Sequence, residues 1–238
     1  MVVLITGSNR GLGLELAKEG LRRGHTIVAT YRTPGPDLPS LKEDYGDAIE
    51  LQPMDVADDA SVRTASKEVS RRHPALDGII NNAAVLYETK KFTGDPIVDL
   101  DLDQFVETFD INTFGPVRVL KAFMPLVYKG SDRFIVNVTT EGARLVTGGS
   151  HYIAYSASKV ALNLYTQKIR NYLSAHDEHK DIRVYMIHPG RMFTIMGVEN
   201  AQIQPSEPAG GIWDILERKT AVDLEIPFIN YKGEEMPR

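Results

Sequence analysis

The sequence predicts an α/β fold: one doubly wound parallel sheet with helices on both faces. Three observations predict it. Short runs of β-branched apolar residues recur along the chain, each is followed by a turn signal, and each turn leads into a longer stretch with helical spacing. The 238 residues are 42% hydrophobic and 25% charged, which suits one sizeable core. The expectation is a single domain spanning residues 1–238.

The elements follow in order. A first strand, Val2–Ile5, is stopped by Thr6-Gly7 and leads into the helix Leu12–Arg23. After the strand Thr26–Thr30, the segment Thr33-Pro34-Gly35-Pro36-Asp37-Leu38-Pro39 reads as a turn region, because proline and glycine punctuate it. The strand Ala48–Pro53 precedes the helix Ala60–Arg72, and the strand Gly78–Asn81 precedes the helices Leu102–Ile111 and Gly115–Tyr128. Next come the strand Phe134–Thr139 and the long helix Ile153–Ala175, whose Ala157, Ala161, Leu164 and Leu173 mark packed faces. A polar loop, Ser174–Asp181, leads to the strand Arg183–His188. The helix Ala209–Lys219 and a short strand near Pro227–Asn230 complete the pattern. Strands that are continuously apolar belong to a sheet covered on both faces. The connection from Pro189 to Pro208 exceeds the roughly 2–6 residues usual between strand and helix, so 191–207 is a candidate substrate lid.

Composition excludes several functions. The formal net charge of −5 and a pI of about 5.7 argue against nucleic acid as a partner, which would require a basic face. With no cysteine, disulfides, thiolate nucleophiles and cysteine metal sites are excluded, and a reducing compartment is the matching one. The apolar run Met1–Ile5 is too short for a signal sequence, no stretch approaches the ~18 apolar residues of a membrane helix, and no lipidation signal is present. The expected location is therefore the cytoplasm, with no membrane partner.

The segment Thr6-Gly7-Ser8-Asn9-Arg10-Gly11-Leu12-Gly13 directly follows the first strand and opens the first helix. Glycines there permit the turn and let the backbone approach a pyrophosphate, while the helix end stabilises the anion. A glycine-rich turn can also be merely structural; the strand–loop–helix setting favours nucleotide binding in a Rossmann-type sheet. The first gap is wider than in G-x-G-x-x-G. The second strand ends at Tyr31-Arg32 without the acid that would select the ribose hydroxyl of NAD. Arg10 and Arg32 can instead pair with the 2′-phosphate of NADP; the alternative is two solvated surface arginines. NADP(H) is the expected cofactor.

Tyr155-Ser156-Ala157-Ser158-Lys159 places a tyrosine and a lysine four apart on one helix face. A phenol has a pKa near 10 and works at neutral pH only beside a cation, which Lys159 can provide. Such pairs are common and usually structural.

Together, these motifs resemble the short-chain dehydrogenase/reductase family over nearly the whole chain. Thr6–Gly13 is similar to its TGxxxGxG cofactor loop, Asp55-Val56 to its adenine-contacting pair, and Asn81-Asn82-Ala83-Ala84 to its NNAG motif. Asn112 resembles the asparagine that supports a water relay to the lysine, Tyr155 and Lys159 resemble YxxxK, and Pro189-Gly190 with Thr194 resemble the PGxxxT segment that holds the nicotinamide carboxamide. The Asn9-Arg10-Gly11 loop and the ending Tyr231-Lys232-Gly233 are similar to the C-factor-like and sniffer-like carbonyl reductases.

The resemblance implies that Tyr155 donates a proton to a carbonyl oxygen during hydride transfer, while Lys159 lowers its pKa and binds ribose hydroxyls. It implies a small or medium aldehyde or ketone, or the corresponding alcohol, as substrate. It also implies a homodimer or homotetramer built through Gly115–Tyr128 and Ile153–Ala175. Two positions depart from the pattern: Thr140 stands where the family has a substrate-orienting serine, and Ala84 replaces the last glycine of NNAG. A second reading, an NADP(H)-binding sensor or signalling protein with little turnover, stays open. A methyltransferase would not explain YxxxK together with PGxxxT. His151 and His188 read as surface or satisfied histidines, and Trp213 as core or interface. Asp99, Asp101 and Asp103 read as a solvated helix start; no metal site is expected.

Overall fold

Each predicted strand forms, because short β-branched runs bury both faces of an extended chain at once. In the computed structural model, residues 1–88, 94–95, 97–145, 151–194, 201–222, 225 and 227–237 are described. Their strands are β1 (Val2–Ile5), β2 (Thr26–Tyr31), β3 (Ile49–Pro53), β4 (Gly78–Asn81), β5 (Phe134–Val138), β6 (Arg183–His188) and β7 (Phe228–Asn230). All pairings are parallel, in the order β3-β2-β1-β4-β5-β6-β7. Ile5 pairs with Ala29 on one side and Ile80 on the other, which puts the ends of β1, β2 and β4 level. This is a Rossmann-type sheet. Its strand order reverses at β1, and a ligand crevice is expected beyond the carboxyl ends of β1 and β4.

The helices are α1 (Gly11–Arg22), α2 (Asp37–Tyr45), α3 (Asp59–Arg72), α4 (Leu102–Phe109), α5 (Gly115–Val127), α6 (Ile153–Ser174) and α7 (Ser206–Leu216). Alternate strand residues feed two cores, as the two-residue period requires. Val3, Ile5, Ile27 and Ala29 pack with Leu12, Leu16 and Trp213, whereas Leu4, Val28 and Ile79 pack with Val62, Val69, Phe123 and Leu173. Trp213 is fully buried, stacks on His25 at 4.7 Å and donates from Nε1 to the Leu16 carbonyl, so it is a core residue.

Three elements differ from the sequence expectation. The Pro-rich segment is not all turn, since α2 starts at Asp37 and contains Pro39. Proline is tolerated there because the first-turn N–H groups have no intrahelical partner. The helices expected at Leu102–Ile111 and Gly115–Tyr128 are joined by a π-helical turn, Asp110–Phe114, which carries Asn112. The last helix starts at Ser206 rather than Ala209, which removes Ser206 and Glu207 from the expected lid; residues 195–200 of that lid lie outside the described residues. Leu164 is exposed, and Leu162 takes the buried place on α6.

Candidate active site

The first N–H groups of a helix need partners, and α1 leaves them open to a ligand. Its capping residue, Arg10, makes no side-chain cap bond, and the first turn holds no acid. By contrast, Asp58 caps α3 and Asp101 caps α4, the latter bearing out the helix-start reading of the aspartates. Gly7 and Gly11 adopt φ of +70° and +55°, conformations that L side chains rarely take. A Cβ on Gly13 would lie 2.2 Å from the Gly7 carbonyl oxygen and 2.5 Å from Asn82 Nδ2. Gly13 is therefore a packing residue behind the loop.

Thr6 ties the loop to β4. Its hydroxyl oxygen accepts the N–H groups of Asn82 and Ala83 at 3.0 Å each, and Asn82 Nδ2 donates to the Thr6 carbonyl at 2.9 Å.

A cavity of about 1010 Å³ opens at this crevice. Gly7, Asn9, Arg10, Gly11, Leu12 and Arg32 line it, followed by Asp55, Val56, Asn82, Ala83 and Ala84. Tyr155, Lys159, Pro189 and Thr194 complete the expected residues on its wall. Its size and its glycine-walled helix end fit an extended dinucleotide with paired phosphates. Residues from Gly7 to Thr194 thus meet around one space.

Other expected site residues stand behind that wall. Asn112 is fully buried; its Oδ1 accepts the Val85 N–H at 2.8 Å, and its Nδ2 donates to the Val85 carbonyl at 2.9 Å and to Ser158 Oγ at 3.2 Å. A Cβ on Gly190, at φ +83°, would meet Ile203 at 2.7 Å. Of the two threonines after β5, Thr139 is on the cavity wall. Its hydroxyl is buried and has no hydrogen-bond partner among the described residues. Thr140 Oγ1 accepts the Gly142 N–H at 3.3 Å.

Lys159 is 2% exposed and donates from Nζ to the Val138 carbonyl at 2.8 Å. Nζ lies 5.9 Å from the centre of the Tyr155 ring. Burial pushes the Lys159 ammonium down to about 8 and the Tyr155 phenol up to about 12. At neutral pH the pair is thus a protonated phenol beside a cation, a proton donor with a charge to stabilise the oxygen left behind.

The sequence reading missed three contributors: Thr139, Ser158 and Glu88. Ser158 Oγ donates to the Tyr155 carbonyl at 2.7 Å, and Glu88 accepts the N–H groups of Ala154 and Tyr155 at 2.9 Å each. Ser158 lay within the quoted motif. No local spacing signals Glu88, which meets α6 across more than sixty residues. His188 also departs from expectation: it is largely buried, Nδ1 has no hydrogen-bond partner among the described residues, and burial lowers its pKa to about 4. His151 is exposed, as expected.

The family model described as short chain dehydrogenase matches residues 1–204. The chain belongs to the short-chain dehydrogenase family. It is an oxidoreductase. Among curated relatives, a benzil reductase ((S)-benzoin forming) of Saccharomyces cerevisiae is 32% identical over 200 residues, covering 82% of this chain and 73% of the relative. An oxidoreductase of Schizosaccharomyces pombe is 32% identical over 243 residues, covering 98% of this chain and 92% of its own. Among solved structures, an NADPH-bound carbonyl reductase from chicken fatty liver superposes with a TM-score of 0.84 at 25% identity, over 100% of this chain and 98% of the other. The carbonyl reductase Sniffer of D. melanogaster shares the fold, with a TM-score of 0.82 at 24% identity over 100% and 99% of the two chains. In this short-chain dehydrogenase, as in the expected resemblance, loop, asparagines, YxxxK and PGxxxT occur in one order along the chain.

Proposed function

We propose that this short-chain dehydrogenase reduces the carbonyl of a small or medium aldehyde or ketone with NADPH, Tyr155 giving the proton. One observation carries the reading. Tyr155 and Lys159 line the same cavity as the glycine loop and the two arginines, Arg10 and Arg32. When bound, NADPH supplies the hydride that adds to the carbonyl carbon. The Tyr155 O–H bond breaks as a new O–H bond forms on the carbonyl oxygen, which yields the alcohol. Lys159 stabilises the phenolate left behind. Asn112 acts from behind, by holding Val85 and Ser158.

Arg10 and Arg32 favour NADPH, since each offers charge-assisted hydrogen bonds to a 2′-phosphate. Val85, Ile111, Met192 and Phe193 on the wall favour an apolar substrate, and Ala84 narrows the cofactor path. The described flanks of the expected lid, residues 191–194 and 201–205, are clipped together, Phe193 N–H donating to the Ile203 carbonyl at 3.0 Å. NADPH oxidation across a panel of carbonyl compounds tests the reading, with Tyr155→Phe as control. Turnover that is lost in Tyr155→Phe while NADPH still binds supports it. Tight NADPH binding with no turnover on any compound would favour the sensor instead.

A further inference from the structure

The long helix α6 begins without a cap of its own. It follows Tyr152, held at φ 60° and ψ 45°, whose side chain makes no cap bond, and its first turn contains no acid. Yet the first N–H groups of a helix cost free energy when left unpaired, and together they carry about half a positive charge. Glu88, from the loop after β4, meets that need: Oε1 accepts the Ala154 N–H and Oε2 the Tyr155 N–H, both at 2.9 Å.

The carboxylate is itself held in place. Three residues earlier, the Val85 N–H and carbonyl are both bound by the Asn112 amide, at 2.8 and 2.9 Å. The same amide donates to Ser158 Oγ at 3.2 Å, and that hydroxyl donates to the Tyr155 carbonyl at 2.7 Å. Both backbone polar atoms of Tyr155 are therefore tied to one segment. That segment, through Asn82 to Val85, also walls the cofactor cavity.

We propose that Glu88 is a positioning residue for Tyr155, fixing the first turn of α6 and neutralising the positive helix end beside the phenol. This rests on the reading of Tyr155 as the proton donor. A neutral amide cap has one acceptor oxygen, so it holds only one of these N–H groups, and it leaves the helix end positive, which favours phenolate over phenol. The negative charge thus keeps Tyr155 protonated in the resting enzyme, and the two-pronged contact keeps its ring on the cavity wall.

Glu88→Gln, Glu88→Ala and Tyr155→Phe test this together. Glu88→Gln keeps one acceptor oxygen and loses the charge. With an accepted aldehyde, it should lower kcat several-fold at unchanged KM for NADPH and move the basic limb of the kcat profile down by about 0.2–0.7 pH unit. In the cofactor-free protein, amide hydrogen exchange at Ala154 and Tyr155 should rise about tenfold or more in Glu88→Ala and less in Glu88→Gln. If Glu88→Ala fails to fold, the glutamine variant carries both readouts. A glutamine variant with unchanged pH limb, kcat and amide protection overturns the proposal while Tyr155→Phe is inactive. An active Tyr155→Phe overturns the proton-donor reading, and this proposal with it.

Discussion

The ammonium of Lys159 donates a 2.8 Å hydrogen bond to the carbonyl oxygen of Val138, so the cation of α6 is anchored at the end of β5. A cation buried against one carbonyl is poorly compensated. The drop from 10.5 to about 8 means that its charge costs the cofactor-free fold about 3 kcal/mol. The folded value lies below the unfolded one, so the cost is complete below about pH 8 and vanishes above 10.5. Stability should therefore rise between those values. Lys159→Met should be more stable at pH 7, by roughly 1–3 kcal/mol, with that rise abolished and activity lost. Urea denaturation at pH 7 and 10 measures it; a less stable methionine variant would contradict the argument.

The two threonines after β5 should behave differently. Thr139→Val keeps the shape and removes a buried hydroxyl with no hydrogen-bond partner among the described residues, so it should stabilise by about 1 kcal/mol with less than a threefold kinetic effect. Thr140→Ala should change kcat/KM by less than about threefold, since Thr140 lies off the cavity wall and its Oγ1 accepts the Gly142 N–H; a loss of about 10–100-fold would instead mark its hydroxyl as a positioned donor to developing charge. Thr140→Ser, which keeps the hydroxyl, should preserve activity. Equal behaviour of Thr139→Val and Thr140→Ala in stability and kinetics would remove the distinction.

Gly13→Ala should be among the most damaging small substitutions. The new Cβ would press on the Gly7 carbonyl and on Asn82, the two groups that shape the loop. A loss of about 1–3 kcal/mol is expected from the overpacking, together with loss of cofactor binding. Gly210→Ala is the control: nothing lies within 4 Å of its Cβ position in α7, and alanine there should stabilise by about 0.5–1 kcal/mol. Calorimetry on both variants decides the matter.

His188 should make the fold acid-sensitive. Burial holds it neutral down to about pH 4, helped by Arg191 and Arg144 and opposed by Glu141. The unfolded chain takes up this proton near 6.5 and the folded chain only near 4. Stability is therefore lost as pH falls through that window, by up to about 3 kcal/mol. His188→Gln should flatten the slope between pH 6.5 and 4.5 in urea titrations. An unchanged slope would assign acid sensitivity to other groups.

How much was legible depended on how local each determinant is. Ile5 and Ala29 become partners because both strands are short apolar runs, and such runs announce themselves. Asp37–Tyr45 did not, because proline obscures a helix start that it in fact tolerates. The joint between α4 and α5 was hidden as well, because a π-helical turn inserts one extra residue into a pattern whose period otherwise looks broken.

The sequence by itself determined the alternating layers, the glycine loop at the end of β1, and Tyr155 and Lys159 on one helix face. Each depends on neighbours within a turn or a strand, where φ/ψ preference and side-chain period act directly. Only the tertiary structure decided that Thr139 rather than Thr140 lies on the cavity wall, that Asn112 grips Val85, and that Glu88 caps α6. Those outcomes depend on where distant segments come to rest. A buried N–H or carboxylate must find a partner, but nothing in its own stretch of chain says which one.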